Sequence, residues 1–470
     1  MSLLTIERFA RVTGARYEPT EASHDRRLAE AAFAPSTDSR TLQAGETFVC
    51  LRGPNHDGHR YADAAVRRGA IAVVAEEGAS LPSGADAPVL RVADAKRAYM
   101  AGAAEARSRA KRCTVVGVTG SVGKTTVKSI FAQLLRENRA TIETRENENN
   151  ELGVSKACYA LEDSTRAAVI EMGARAPGEI AELVDVARPD IGILTNVGEA
   201  HLEFYESREQ LARTKFALFS RGAKAVLNAA DEWSRRLASE SDVERSAVWV
   251  RLCGDPHTQG LTLEAGVPKD GAVPLTFGSS HALAPWRLVG EHHLRDALLA
   301  AGAAILAGMA FEKAAALIGT LALPAGRFEQ HVLANRAIVI YDAYNASPTS
   351  VASALDAFAD VPATRRIAVL GSMAELGADA PAQHEVTGAA AARSGIDALY
   401  CGGAFAERLA AGAREAGMPS DRISLFADNA GVAERLRELL GDGDAVLLKG
   451  SRVQRMEEIL VALLGDGMAS

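Results

Sequence analysis

The run Gly120-Ser121-Val122-Gly123-Lys124-Thr125-Thr126 has the residue types that hold nucleotide phosphates. Glycines let backbone N–H groups close around phosphate oxygens, a following helix N-terminus adds partial positive charge, lysine reaches the terminal phosphates, and the next hydroxyl can ligate Mg²⁺. The context agrees. Thr114-Val115-Val116-Gly117-Val118 reads as a strand directly before the run, and Val127, Ile130, Phe131, Leu134 and Leu135 mark one face of a helix directly after it. The strict G-x-x-x-x-G-K-[ST] spacing asks for glycine at position 118, where this chain has Val118. A glycine-rich turn that binds nothing is the plain alternative, but packing alone gives little reason for Gly-Lys-Thr-Thr at a helix start.

Glu171 closes the strand Ala168-Val169-Ile170-Glu171, and a carboxylate at the C-terminal edge of a parallel sheet sits beside such a loop, where it can hold Mg²⁺. His201, in Thr195-Asn196-Val197-Gly198-Glu199-Ala200-His201-Leu202-Glu203, follows another strand end and can join that cluster, although a lone histidine is more often a satisfied structural group. Lys215, in a helical segment from Leu211 to Phe219, reads on its own as charge on a solvated face. Three clusters further on sit at segment edges: Gly326-Arg327-Phe328-Glu329, Asp342-Ala343-Tyr344-Asn345-Ala346-Ser347-Pro348 and Lys449-Gly450-Ser451-Arg452. Loops after parallel strands line one rim, where ligands bind. The bland reading of the second cluster is a strand-to-helix turn capped by Asn and Ser.

Positioning these groups requires a large folded chain, and 470 residues with 48% hydrophobic and 24% charged content provide one. Short β-rich runs alternate with helical stretches, from Ala70–Ala75 through Ile191–Leu194, Ala225–Leu227, Ile338–Tyr341 and Ile367–Leu370 to Ala445–Leu448, which predicts parallel sheets with crossover helices. Between Arg251 and Trp286 a Gly-, Pro- and His-rich stretch with Leu261-Thr262-Leu263 and Leu275-Thr276-Phe277 predicts antiparallel hairpins at a sheet edge. Breaks near Ala106 to Arg112 and at Leu323-Pro324-Ala325-Gly326 divide the chain into domains 1–108, 109–325 and 326–470.

A formal charge of -8, from 52 Lys+Arg against 60 Asp+Glu, argues against a nucleic-acid-binding chain and makes any phosphate site local. Cys50, Cys113, Cys158, Cys253 and Cys401 form no CxxC pair, which suits a reducing cytoplasm rather than zinc or a disulfide framework. Met1 to Ile6 lacks a basic start, so no signal peptide is expected. The apolar run Ala297 to Phe311 is shorter than the roughly 20 residues of a membrane span and reads as a buried helix.

Taken together, these motifs resemble the ATP-dependent Mur ligase family along essentially the whole chain. Thr37-Asp38-Ser39-Arg40, Gly45-Glu46-Thr47-Phe48-Val49 and Asp57-Gly58-His59 resemble its uridine-diphosphate-holding domain. Thr119 to Thr126 resembles its version of the phosphate loop, and Asn147-Glu148-Asn149-Asn150-Glu151-Leu152-Gly153 its Asn-rich substrate loop. Glu171-Met172-Gly173-Ala174 and Asn196 to Glu203 resemble its metal-binding segments. The chain departs from the family pattern at Val122, Ser347, Ser372 and Ala217, and Glu291 to Leu298 lacks the asparagines of the segment near the adenine.

The resemblance implies an α/β protein of three domains: an N-terminal UDP-binding domain, a central P-loop parallel-sheet ATPase domain and a C-terminal Rossmann-like domain. It implies ATP bound by Thr119, Gly120, Ser121, Val122, Gly123, Lys124, Thr125, Thr126, Arg327, Asp342, Tyr344 and Asn345. One Mg²⁺ would be held by Thr125 and Glu171, and a second by His201 and a CO₂-carbamylated Lys215. Ser39, Arg40, Asn149 and Asn150 would touch substrate, Lys124, His201, Lys215 and Arg327 would serve catalysis, and the Met373-Ala374-Glu375-Leu376-Gly377 segment with His384 would close over ATP and receive the amine. The DxYNxxP form points to ligation of D-alanyl-D-alanine to UDP-N-acetylmuramoyl-tripeptide through an acyl phosphate, in the cytoplasmic synthesis of peptidoglycan precursors. The expected chain is a monomer that binds neither nucleic acid nor membrane. Two other readings stay open: a ligase of the same family with another acceptor or amine, and a P-loop switch that hydrolyses ATP without forming a bond.

Overall fold

The computed structural model describes residues 3–18, 26–82, 87–136, 139–145, 148–198 and 204–465. It has a three-domain α/β fold built on three large sheets. The N-terminal sheet runs in the order Arg16–Glu18, Val89–Val92, Ala72–Glu76, Thr47–Val49, Pro35–Ser36, and only the Arg16–Glu18 edge is antiparallel. Leu4, Phe9, Phe33, Val74 and Leu90 pack beneath it.

The central sheet runs Ser280–Pro285, Ala272–Phe277, Leu261–Ala265, Val248–Leu252, Lys224–Asn228, Ile191–Leu194, Thr114–Thr119, Ala167–Glu171, Thr141–Glu143. Every pairing from Leu261–Ala265 to Thr141–Glu143 is parallel. Its strands are apolar on both faces because both are covered. Val116, Val118, Ile193 and Val226 face the helices Lys124–Arg136 and Glu291–Leu306. Val115, Ile170, Leu194 and Leu227 face Glu151–Tyr159 and Glu179–Ala187 on the other side. The stripe Val127, Ile130, Phe131, Leu134 and Leu135 is buried as its spacing requires, each side chain contributing roughly 1.5–3 kcal/mol.

The antiparallel edge expected there is present: Leu261–Ala265 pairs antiparallel with Ala272–Phe277, which pairs antiparallel in turn with Ser280–Pro285. The addition is that Leu261–Ala265 also extends the parallel run beside Val248–Leu252. The Ala-rich run from Ala297 lies in the helix Glu291–Leu306, which packs against the sheet. Among the described residues no helix is long and apolar enough to cross a membrane.

The third sheet runs Glu329–Val332, Ile338–Tyr341, Asp444–Lys449, Arg365–Leu370, Ala398–Gly402, Ile423–Phe426, parallel except at its Glu329–Val332 edge. Parallel register fixes what emerges at each rim. Glu171 pairs with Val118 and Leu194 with Thr119, so the phosphate loop, Glu171 and Thr195-Asn196 leave the central sheet together. Tyr341 pairs with Leu448 and Leu370 with Lys449, which brings Asp342, Lys449 and Gly371 to one rim of the third sheet.

Candidate active site

The phosphate loop is held from below by the next strand end. The Thr195 hydroxyl and the Asn196 side-chain amide donate to the Val122 carbonyl at 2.5 and 3.0 Å, and Asn196 Oδ1 accepts from the Val122 amide at 3.1 Å. Gly120 sits at φ +149°, and a Cβ there would lie 1.9 Å from Thr195 Oγ1, so only glycine lets the loop turn this close. Lys124 Nζ donates to the carbonyls of Gly120 and Ser121 at 2.8 and 3.1 Å. Desolvation pushes its amine below the ordinary lysine value, with Glu171 opposing that shift and Arg327 adding to it.

Thr125 Oγ1 donates to Glu171 Oε2 at 3.0 Å and Asn149 Nδ2 donates to Glu171 Oε1 at 3.0 Å. Lys128, one turn after Lys124, lies 3.5 Å from the same carboxylate and donates to the Thr144 carbonyl at 2.7 Å. The sequence reading missed Lys128, although its i+4 spacing from Lys124 puts it on the same side of the helix. Asn150 is the N-cap of Glu151–Tyr159, accepting from the Gly153 amide at 3.0 Å, and both asparagines line the cleft.

Lys215 corrects the reading of a solvated helix face: it is 1% exposed, and its Nζ donates to the Gly120 carbonyl at 3.1 Å. A local signal existed. Leu211 lies four residues earlier on the same helical face and is fully buried. Burial, reinforced by Lys124, pushes the Lys215 amine well below the ordinary lysine value. His201 and Asn147 lie outside the described residues.

The third domain faces this loop across a cleft of about 1290 Å³, lined among others by Lys124, Thr125, Glu171, Lys215, Arg327, Tyr344, Asn345 and Glu375. The volume exceeds the roughly 300–1,000 Å³ of a single small-ligand pocket and leaves room for a nucleotide and a second substrate. Arg327 Nη2 approaches Thr125 Oγ1 at 3.4 Å, its guanidinium lies 4.4 Å from the Tyr344 ring centroid, and its buried Nε has no hydrogen-bond partner among the described residues. Arg175 and Glu375 form an ion pair of 3.1 Å between the two domains.

Other expected residues stand behind or apart from the cleft. Asp342 is buried, binds Lys449 Nζ at 2.7 Å and accepts from the Phe328 amide at 3.3 Å, so it shapes the rim rather than lining the cavity. Thr119, Gly120 and Thr126 underlie the loop and do not line the cavity; Ser39 and Arg40 lie in the N-terminal domain, where the Arg40 fork holds the Asp38 carboxyl down to about 2. His384, expected to meet the incoming amine, is fully buried, with one ring nitrogen bonded to the Ala380 carbonyl and the other to the Met373 amide.

Family models described as the Mur ligase family catalytic domain, the Mur ligase middle domain and the Mur ligase glutamate ligase domain match residues 36–109, 118–304 and 326–452. The UDP-N-acetylmuramoyl-tripeptide--D-alanyl-D-alanine ligase of Synechocystis sp. is 32% identical over 437 residues, covering 92% of each chain. The chain belongs to the Mur ligase family. MurF from Acinetobacter baumannii shares the fold, with a TM-score of 0.83 over 99% of both chains at 23% identity. The MurF ligase of Thermotoga maritima, solved in complex with ADP, is 27% identical and covers 91% of this chain and 96% of that one, with a TM-score of 0.76.

This Mur ligase carries one buried acid that the sequence did not mark as functional. Asp296, on Glu291–Leu306, lies against the loop so closely that a Cβ on Gly123 would come 2.7 Å from its Oδ1. Burial pushes its carboxyl up to about 8, against the pull of Arg327 and Arg295. An unfolded aspartate titrates near about 3.9, so the folded protein keeps a proton that the unfolded chain releases between these values, and stability falls as pH rises toward about 8. Asp296→Asn, with the same shape and no charge to bury, is expected to flatten the fall of Tm between about pH 5 and 8. Thermal denaturation of both proteins across that range checks it, and equal slopes would contradict it.

Proposed function

We propose that the chain uses ATP to join D-alanyl-D-alanine to the terminal carboxylate of UDP-N-acetylmuramoyl-tripeptide. The observation that carries this reading is the convergence of Lys124, Thr125 and Glu171 with Arg327 of the third domain on one cleft, in a chain similar over 92% of its length to a relative named for that reaction. We keep the domain limits 1–108, 109–325 and 326–470, with the N-terminal domain around Ser39 and Arg40 taking the uridine diphosphate, and a monomer acting in the cytoplasm.

A free carboxylate is a poor electrophile. Transfer of the terminal phosphoryl from ATP to the acceptor carboxylate gives an acyl phosphate and ADP; attack by the neutral amine then forms the amide, with release of phosphate and a proton. Lys124 exchanges its loop carbonyls for phosphate oxygens, and Arg327 supplies the donor left unpartnered at Nε. The Asn196 and Thr195 bonds to Val122 keep the loop from reorganising during transfer.

The oxygens of Thr125 and Glu171, 3.0 Å apart, are the hard donors that Mg²⁺ takes. Bound there, and at a second place through His201 and carbamylated Lys215, Mg²⁺ would offset phosphoryl charge. Lys215 suits carbamylation because the neutral amine, which its burial favours, is the form that adds CO₂, releasing one proton and leaving a carboxylate. Glu171→Gln is expected to raise the Mg²⁺ concentration for half-maximal activity on the order of 10–100-fold in a Mg²⁺ titration, and an unchanged midpoint would move the metal elsewhere.

ADP release measured with each substrate alone and with both tests the function. Release that needs both the UDP-linked tripeptide and D-alanyl-D-alanine, and falls away with other dipeptides, supports the reading. Release stimulated only by a protein partner would replace it with a switch.

A further inference from the structure

The loop between the third-sheet strand Arg365–Leu370 and the helix Ala380–Arg393 carries Ala374, Glu375 and Leu376 into the cleft. Glu375 holds φ +60°, a left-handed conformation that a side-chain-bearing residue keeps only when its surroundings enforce it. The loop is tied down before that point. The Gly371 amide donates to the Lys449 carbonyl at 2.8 Å, the Ser372 carbonyl accepts from the Ser451 hydroxyl at 2.7 Å, and the Ser372 hydroxyl accepts from the Phe405 amide at 3.0 Å. At the last residue before the cleft, the Met373 amide donates to His384 Nε2 at 2.9 Å.

That bond dictates the state of the ring. His384 Nδ1 lies 2.5 Å from the Ala380 carbonyl, which can only accept, so Nδ1 carries the proton and Nε2 is free to accept. The ring is fully buried and stacks on Phe405 at 4.5 Å between centroids, interplanar angle 25°. Burial pushes its pKa below the ordinary histidine value, although the Ala380 bond opposes that shift, in line with the unprotonated Nε2 that the Met373 bond requires. Thr387, one turn further along the same helix, reaches the Met373 sulfur at 3.9 Å.

We infer that His384 is a positioning residue: as a neutral acceptor for the Met373 amide it sets the Met373–Gly377 loop so that Glu375 spans the cleft to Arg175 of the central domain. It touches neither nucleotide nor amine. Its effect on turnover passes through the 3.1 Å Arg175–Glu375 contact, which fixes how the third domain presents Arg327 to the phosphate loop. The kinetic consequence rests on the ligase reading; the structural one does not.

The test uses the full-length protein and two readouts. His384→Phe keeps a ring on Phe405 and removes the acceptor, His384→Asn has an amide too short to reach Met373, and His384→Gln can return an acceptor near the place of Nε2. Hydrogen exchange without substrates should show the Met373 amide at least about tenfold faster in the Phe and Asn variants and near the parent rate in the Gln variant. In ADP release with both substrates, the Phe variant should lose about tenfold in kcat with KM for ATP nearly unchanged, and this loss should shrink in an Arg175→Ala background. An unchanged Met373 exchange rate in the Phe or Asn variant overturns the positioning role even if the protein proves to catalyse another reaction. A kcat loss equal in both backgrounds overturns the route through Arg175. Absence of ligation by the parent protein, with the exchange result intact, removes only the ligase reading.

Discussion

Lys124→Ala is expected to abolish ADP release, with a loss in turnover on the order of 10³-fold or more and almost none in stability. The amine already sits over the loop, held by the Gly120 and Ser121 carbonyls at 2.8 and 3.1 Å. Phosphate oxygens need only replace those carbonyls as its acceptors. Truncation leaves the loop's own supports, the Asn196 and Thr195 bonds to Val122, untouched. It also removes a charge that desolvation already disfavours, which offsets the two lost hydrogen bonds. The check is a coupled ADP assay beside a melting curve. A folded Lys124→Ala protein with kcat within tenfold of the parent would deny the lysine its place on the phosphates.

Lys215→Ala is expected to lose turnover on the order of 10²-fold or more, and to recover part of it when formate or acetate is added. The side chain is 1% exposed beside the loop, so removing it opens a buried space next to Gly120. A small carboxylate entering that space restores the negative group that the carbamate would provide. The same addition should do nothing for Lys124→Ala, and depleting CO₂ should lower the activity of the parent enzyme. Full activity of Lys215→Ala without additive would remove the carbamate from the account.

These two lysines differ in how far the sequence revealed them. Lys124 was legible because its chemistry is local: strand, glycine turn and helix follow one another, and Val127, Ile130 and Phe131 mark the helix face. Glu171 was legible for a related reason, since parallel register carries the end of its strand to the same rim. Lys215 was legible only through the resemblance, because charged neighbours such as Arg208, Glu209 and Arg213 dominate its helix and hide the inward spacing from Leu211. His384 was placed among the groups that meet substrate, and the fold instead uses both of its nitrogens to hold backbone.

The resemblance marked the segments that hold Asp296 and Glu375, but neither the place of Asp296 against the phosphate loop nor the pairing of Glu375 with Arg175 was legible in the sequence. Each depends on packing between segments far apart in the chain: Glu291–Leu306 against the phosphate loop, and the third domain against the central one. The edge of the central sheet was half legible. Turn residues announced the hairpin, but no local pattern says whether Leu261–Ala265 pairs with its successor alone or also extends the parallel run beside Val248–Leu252.

In the proposed reaction ATP activates a carboxylate of the UDP-linked peptide as an acyl phosphate. Tripeptide substrate labelled with ¹⁸O in its reacting carboxylate tests this most directly. With D-alanyl-D-alanine and ATP present, one labelled oxygen should pass from the carboxylate into the released phosphate for each labelled carboxyl group that forms an amide. Phosphate whose new oxygen comes from solvent water, with both labels kept on the peptide carboxyl, would contradict the account.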